Sequence, residues 1–372
     1  MSARPDVVAE VANWLETRTG LRTLTRAIAA TPAGRAWWLG ATALIAFALQ
    51  VVTGMLLLVY YVPAPDRAFA SAQAILWEVP FGWLVRLAHA QGASALLAIG
   101  IAHTVLAAAR ADYKQPRELV WVCGRILALL GFVAALTGYI LPWSQLSYWA
   151  TTIATAPLAK FPLVGTTLVT LARGGETVGG ATLSRAFVAH VVALPLAAIA
   201  LFAIYGRLLA RARRIEVRRG TRASARIAGD PRSRALEVSM LVIVYLAVVL
   251  ALVVYAPSLA FPLHADRPAD PLDTPNPIHP EWYFLWASEL QRLIPDLIAA
   301  LPWSHGRLAG AAGWISELLP LAIIGGAPFV LLAVPFLDRG PERNPRRRPV
   351  SIALIVLTLG ALAALTSLGA HE

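Results

Sequence analysis

Residues 82–109 read GWLVRLAHAQGASALLAIGIAHTVLAAA, with one charge, Arg86, and two histidines, His89 and His103. About 20 apolar residues suffice to cross the ~30 Å hydrocarbon layer of a bilayer, so this stretch reads as a membrane helix. Its histidines are fourteen residues apart. That offset advances ~21 Å along a helix and returns to within ~40° of the starting face. Two imidazoles therefore point the same way at two depths of a membrane, where ionisable side chains are costly and mark function.

The rest of the chain agrees with a membrane location. Of 372 residues 58% are hydrophobic and 14% charged, with a mean hydropathy of +0.64; soluble domains carry about 25% charged residues. Six more apolar stretches accompany the first, giving spans at Trp37–Val62, Gly82–Ala109, Gly124–Leu141, Arg185–Leu209, Leu236–Tyr255, Gly313–Phe336 and Val350–Leu368. The expected fold is an all-α membrane protein of seven helices. A single cysteine, Cys123, excludes a disulfide scaffold and reads as a small buried residue. Residues 1–36 form an amphipathic N-terminal segment. Within it residues 5–28 suggest an interfacial helix with Val7, Val8, Val11, Trp14 and Leu15 on one side; no cleavable signal peptide is expected. A four-helix domain (37–212) then leads through an arginine-rich linker (213–235) to a three-helix part (236–372).

The net charge of +11 follows the membrane topology. Seven spans place three quarters of the Lys and Arg on the side of the N-terminus. The positive-inside rule makes that side cytoplasmic. The charge therefore argues for topology and contact with membrane lipid, not for nucleic acid. The pattern fits a bacterial cytoplasmic membrane, and no internal repeat is visible.

His190 lies near the outer end of the fourth span, at a depth similar to His89. Imidazoles from facing helices at one depth can form a bis-histidine haem site; the alternatives are interhelical hydrogen bonding or a proton path. Gly40 and Gly54 in the first span, and Gly124 and Gly138 in the third, repeat the fourteen-residue spacing. Glycine allows close approach of a flat macrocycle or of another helix. Arg86 and Arg185 precede the outer histidines by three and five residues, as haem-propionate partners or as interface-snorkelling side chains.

These residues sit in Gln50-Val-Val-Thr-Gly54, in residues 82–94, in Pro116-Arg-Glu118 and in Gly138-Tyr-Ile-Leu-Pro-Trp-Ser-Gln-Leu-Ser-Tyr-Trp149. Arg185-Ala-Phe-Val-Ala-His190 and Pro280-Glu-Trp-Tyr-Phe-Leu285 complete the set. In this order the strings resemble cytochrome b of the quinol-oxidising bc and bf complexes, over about residues 30–340. Seven spans resemble the split photosynthetic-type arrangement fused into one chain. The resemblance implies haem b, quinol as substrate, and a quinol-oxidation pocket facing outside. It implies Glu281 as proton acceptor, with Tyr283 and Tyr139 beside it. Pro142, Trp143, Pro280 and Trp282 shape the pocket. It further implies a Rieske iron–sulfur partner, a cytochrome c-type acceptor and a homodimer within a larger complex.

The chain departs from the family at the inner haem. The histidine that should face His103 is replaced by Tyr205, and the family's arginine three residues after the inner histidine is Leu106. Neutral imidazole is cheaper to bury than phenolate, so the inner haem is doubtful and a full quinone cycle with it. Trp38 stands where split relatives attach a haem through cysteine, so no covalent haem is expected. Three functions compete: a redox subunit, a haem-poor structural or assembly subunit, and a transporter. The complete Pro280-Glu-Trp-Tyr283 string favours the first.

Overall fold

The computed structural model describes residues 37–218, 231–259, 267–274, 280–304 and 309–370. The interfacial helix expected at residues 5–28 and much of the arginine-rich linker lie outside the described residues.

In chain order the helices are α1 (Trp37–Leu58), α2 (Ala68–Trp77), α3 (Gly82–Ala109), α4 (Glu118–Ile140), α5 (Gln145–Thr155) and α6 (Gly165–Arg173). There follow α7 (Gly180–Val188), α8 (Leu194–Arg218), α9 (Pro231–Tyr255), α10 (Trp282–Ala299), α11 (Ala309–Leu337) and α12 (Pro349–Ala370). A π-turn, Ala189–Ala193, joins α7 and α8 into one span. Seven spans result: α1, α3, α4, α7–α8, α9, α11 and α12. Among the described residues there is no strand, only an isolated bridge between Ser144 and Pro268. Helix is the form a lone segment must take in lipid, since it satisfies every backbone N–H and C=O within itself.

α1 ends at Leu58, short of the expected Val62, whereas most later spans run past their hydropathic limits. α4 starts at Glu118 instead of Gly124, α8 continues to Arg218, and α9 begins at Pro231. Hydropathy marks only the apolar stretch, whereas i→i−4 hydrogen bonds continue into the polar interface. Two corrections follow. The linker expected at 213–235 shrinks to the residues between Arg218 and Pro231. Arg125, at the edge of the expected span Gly124–Leu141, lies buried about two turns inside α4.

α3 occupies the centre and packs against α1, α2, α4, α9 and α12. Ala46, Leu76, Leu87, Tyr245, Val249 and Val253 form a common core of α1, α2, α3 and α9. The fifth span thus packs on the first bundle, while α10 packs on both α11 and α12, and these reach the first bundle through α4 and α3. The covalent boundary expected near 213–235 is not the packing boundary. α2, α5 and α6 cover one pole, here termed the loop-rich pole; the opposite, basic pole carries residues 110–117 and 338–348. Exposed Phe329, Val350 and Leu357 belong to the broad apolar perimeter that a lipid-facing bundle presents.

At the basic pole the two halves are tied by charge. Asp338 accepts from Lys114 Nζ (2.8 Å), from the Tyr113 hydroxyl (2.5 Å) and from Arg348 Nη2 (3.0 Å). Lys114 also donates to the carbonyls of Gly340 and Glu342. A bidentate pair, Arg117 with Glu216 at 2.8 and 2.9 Å, ties α4 to α8. Burial works against ionisation of Asp338, but the bonds from Lys114 and Tyr113 outweigh it and hold its carboxyl below the usual range. Its contribution to stability is full above the unfolded-state pKa of about 4 and is lost as pH falls through the lower folded value. Asp338→Asn leaves Lys114 and Arg348 buried without that counter-charge. Breaking such a pair costs about 3 kcal/mol or more, so a lower thermal midpoint in detergent is the expected result.

Candidate functional site

Two levels of ring side chains run through the first bundle. At the loop-rich level, the His89 and His190 rings lie 6.1 Å apart between centroids, with planes 77° apart. Imidazole–metal bonds are about 2 Å. Adding about 1.1 Å from each nitrogen to its ring centre, two axial imidazoles on one iron require about 6 Å. A bond through one ring nitrogen would leave each imidazole free to turn about it, so the plane angle does not conflict with a shared iron.

The tautomers are also set. Thr53 Oγ1 donates to Leu49 O (2.7 Å), so its lone pair receives His89 Nδ1 at 2.9 Å. His190 Nδ1 donates to Ala134 O at 2.9 Å, with Thr137 Oγ1 at 3.3 Å. Both Nε2 atoms are left with lone pairs for a metal. The residues fit a haem held between two imidazoles. A Cβ on Gly138 would meet His190 Cε1 at 2.5 Å, and one on Gly54 would meet His89 Cε1 at 3.2 Å. The glycines make room for the ligand rings themselves. Sequence reading found the glycines but missed the threonine before each; the signal was the Thr-Gly pair recurring at 53–54 and 137–138.

His190 sits in the π-turn. Pro195 has no N–H for a bond to residue 191, and Leu194 N–H reaches back five residues to Ala189 O. The turn takes in one extra residue. Fifteen residues from His190 on this helix therefore match fourteen from His89 on α3. The fifteenth is Tyr205, and its ring lies 3.4 Å from where a Gly124 Cβ would be; His103 Nε2 lies 4.0 Å from the corresponding point on Gly40. The second level thus has histidine and tyrosine at the positions that hold two histidines at the first. Cys123, beside Gly124, is buried with Sγ at 3.5 Å from Leu201 O.

Arg86 and Arg185 lie on the loop-rich side of the first level and are oriented by carbonyls: Arg86 by Ala72 O (2.6 Å), Arg185 by Thr170 O (2.9 Å) and Leu171 O (2.7 Å).

At the loop-rich pole, Glu281 precedes α10 at its N-cap position and is half-buried. Burial raises its carboxyl to about 7. Tyr283 is buried, and burial together with Glu281 and Tyr139 pushes its phenol up, so the three groups share one electrostatic environment. Pro280 is half-buried next to Glu281; Trp282 is more exposed and lines a groove with Ala98, Ile101 and Leu359.

Pro142 and Trp143 make the corner between α4 and α5. Trp143 is buried in a left-handed conformation (φ 51°), which is strained for a non-glycine residue. The adjoining residues grip the segment ahead of Glu281. Gln145 N–H donates to Arg267 O (2.7 Å), Asp270 N–H to Gln145 Oε1 (2.6 Å), and Gln145 Nε2 to Asp273 O. Ala269 N–H bonds to Trp143 O at 3.2 Å. Sequence reading quoted Gln145 without a role; its clamp depends on a contact more than 120 residues away.

A membrane bundle with paired rings at two depths, each opposite a glycine, and a half-buried carboxyl at one pole defines a membrane carrier of flat redox cofactors. Comparison with known proteins gives the family. The profile "Cytochrome b/b6/petB" matches residues 26–211 and "Cytochrome b(C-terminal)/b6/petD" matches residues 268–372. Cytochrome b of Rickettsia bellii is 33% identical over 84% of this chain and 74% of the relative. Cytochrome b of Cereibacter sphaeroides is 31% identical over 97% and 83%. A solved chain titled "Hyperthermophilic respiratory Complex III" superimposes with a TM-score of 0.79 at 32% identity, covering 96% of this chain and 91% of that one. The chain belongs to the cytochrome b family, multi-pass membrane redox subunits of respiratory complexes, which bind b-type haem and quinone and for which quinol oxidation and electron transfer are general.

Gly138→Ala places a methyl group where the His190 ring lies. The expected outcome is displacement of that ring and a lower haem content, read by pyridine haemochrome per polypeptide.

Proposed function

We propose that this chain oxidises quinol at its loop-rich pole, which faces the outside of a bacterial cytoplasmic membrane with the N-terminus cytoplasmic. The observation that carries the reading is Glu281: a carboxyl at the N-cap of α10, half-buried, with its pKa raised to about 7. A general base works best when its pKa lies near the operating pH. Glu281 is poised to accept a hydroxyl proton from quinol and to release it towards water.

Conversion of quinol to quinone releases two protons and two electrons. Glu281 takes one proton, and the other leaves to water on the outer side. One electron leaves to a Rieske-type iron–sulfur partner, which hands it to a cytochrome c-type acceptor. The other enters the bundle. When bound between His89 and His190, haem b supplies a one-electron acceptor there. Thr53 and Ala134 keep the two imidazoles in the ligating tautomer and orientation. Arg86 and Arg185 place positive charge on the loop-rich side of that level, suited to haem carboxylates. Tyr139, Tyr283, Pro142, Trp143, Pro280 and Trp282 form the walls of the quinol site. The Gln145 clamp holds the incoming loop against the α4–α5 corner, so that Glu281 meets the substrate from a fixed direction. The subunit works as a homodimer within a larger complex.

The test is the pH dependence of quinol oxidation in membranes. The rate should rise through an apparent pKa near 7 as Glu281 ionises. Glu281→Gln should remove that inflection and slow turnover roughly 10²-fold or more, the usual worth of a positioned general base, with haem content unchanged. An undiminished rate with the same profile would favour the structural-subunit reading.

A further inference from the structure

Arg125 is buried within α4, one residue beyond Gly124. Its side chain runs back towards the basic pole, with the guanidinium carbon 4.6 Å from the centre of the Trp121 ring one turn earlier. Nη1 donates to Thr104 Oγ1, the residue next to His103 on the basic-pole side. Its Nε is buried without a hydrogen-bond partner, and among the described residues no carboxylate pairs with it. Its charge acts on both His103 and Tyr205; Asp112 opposes it at His103, while Arg117 and Arg213 add to the positive field at Tyr205. A guanidinium within a membrane bundle demands an anion. Here the orphaned donor belongs to the residue after Gly124, which faces the Tyr205 ring, and the same guanidinium is bonded to Thr104, the neighbour of His103.

We propose that Arg125 is the carboxylate anchor of a second haem, seated at the level of His103 and Tyr205 with its propionate edge turned towards the basic pole. This rests on the reading of the bundle as haem-carrying and extends it to a level that lacks the second histidine. The cation that Leu106 does not supply from α3 reaches the site from α4. Both levels then follow one rule: ring ligands inside, with arginine on the side nearer the membrane surface. Arg125 acts on the carboxylate edge whichever atom stands opposite His103. It is a positioning residue, distinct from the iron ligands.

The test is haem stoichiometry with a redox titration of the α-band on the purified chain, in the native protein and in Arg125→Gln and Arg125→Lys. The native protein should hold two haems per polypeptide. Arg125→Gln should lose the second haem, or lower its midpoint potential, while the loop-rich haem keeps its band and potential. Arg125→Lys should restore occupancy with a shifted second midpoint. One haem in the native protein overturns the proposal, as do two haems with unchanged midpoints in Arg125→Gln. If Arg125→Gln loses both haems, and so its fold, Arg125→Lys decides: a shift confined to the second midpoint supports the anchor, and two unmoved midpoints overturn it. Loss of the loop-rich haem from the native protein would instead count against the proposed quinol-oxidising function, which keeps the two failures apart.

Discussion

The imidazole of His190 occupies space that any side chain at position 138 would need, and His89 stands in the same relation to Gly54. Much of the bundle depends on this ring-against-glycine contact. Two helices supply rings and two supply bare backbone. The fourteen-residue spacing repeats the arrangement at a second depth. Lipid forces the choice, because helices cannot expose unpaired backbone and so must build the site from what projects between them. Small residues on α1 and α4 open the cleft, and long ring-bearing side chains on α3 and α8 enter it.

The π-turn around His190 shows how local geometry serves this contact. A proline five residues after the histidine takes a donor from the helix, and the backbone answers by taking in one more residue. α8 thereby presents Tyr205 at the level of His103 although its spacing differs from that of α3. Without the extra residue Tyr205 would be turned by about 100° from that face. The tyrosine substitution thus lies within a helix that keeps the family's register.

The two poles solve different problems. At the basic pole, Asp338 is surrounded by Lys114, Tyr113 and Arg348, a set of partners that joins the halves across more than two hundred residues. At the loop-rich pole the segment ahead of Glu281 is joined by backbone bonds, the Trp149 indole and one amide side chain, Gln145, with no net charge, while an exposed ion pair, Lys160 with Glu317, ties the α5–α6 connection to α11. The clamp adds no charge of its own, and burial raises the carboxyl of Glu281 to about 7. A clamp built on arginine would have lowered it.

The sequence by itself determined the seven spans, both pairs of glycines, the histidines and the Pro280-Glu-Trp-Tyr283 string, because each is a periodic or contiguous signal along one helix or loop. It also marked Tyr205 and Leu106 as departures from the pattern that the resemblance implies, since a missing residue is visible in a register. It did not show that Arg125 is buried, because the expected span opens at Gly124 and puts the arginine at its edge, while hydrogen bonding carries the helix back to Glu118. Nor did it show the Gln145 clamp, the Thr53 and Ala134 acceptors, or the packing of α9 on the first bundle. Those are relations between segments far apart in the chain. Only the tertiary structure decided them, because whether a polar group is a loop charge, a clamp or a cofactor partner depends on what the other helices place beside it.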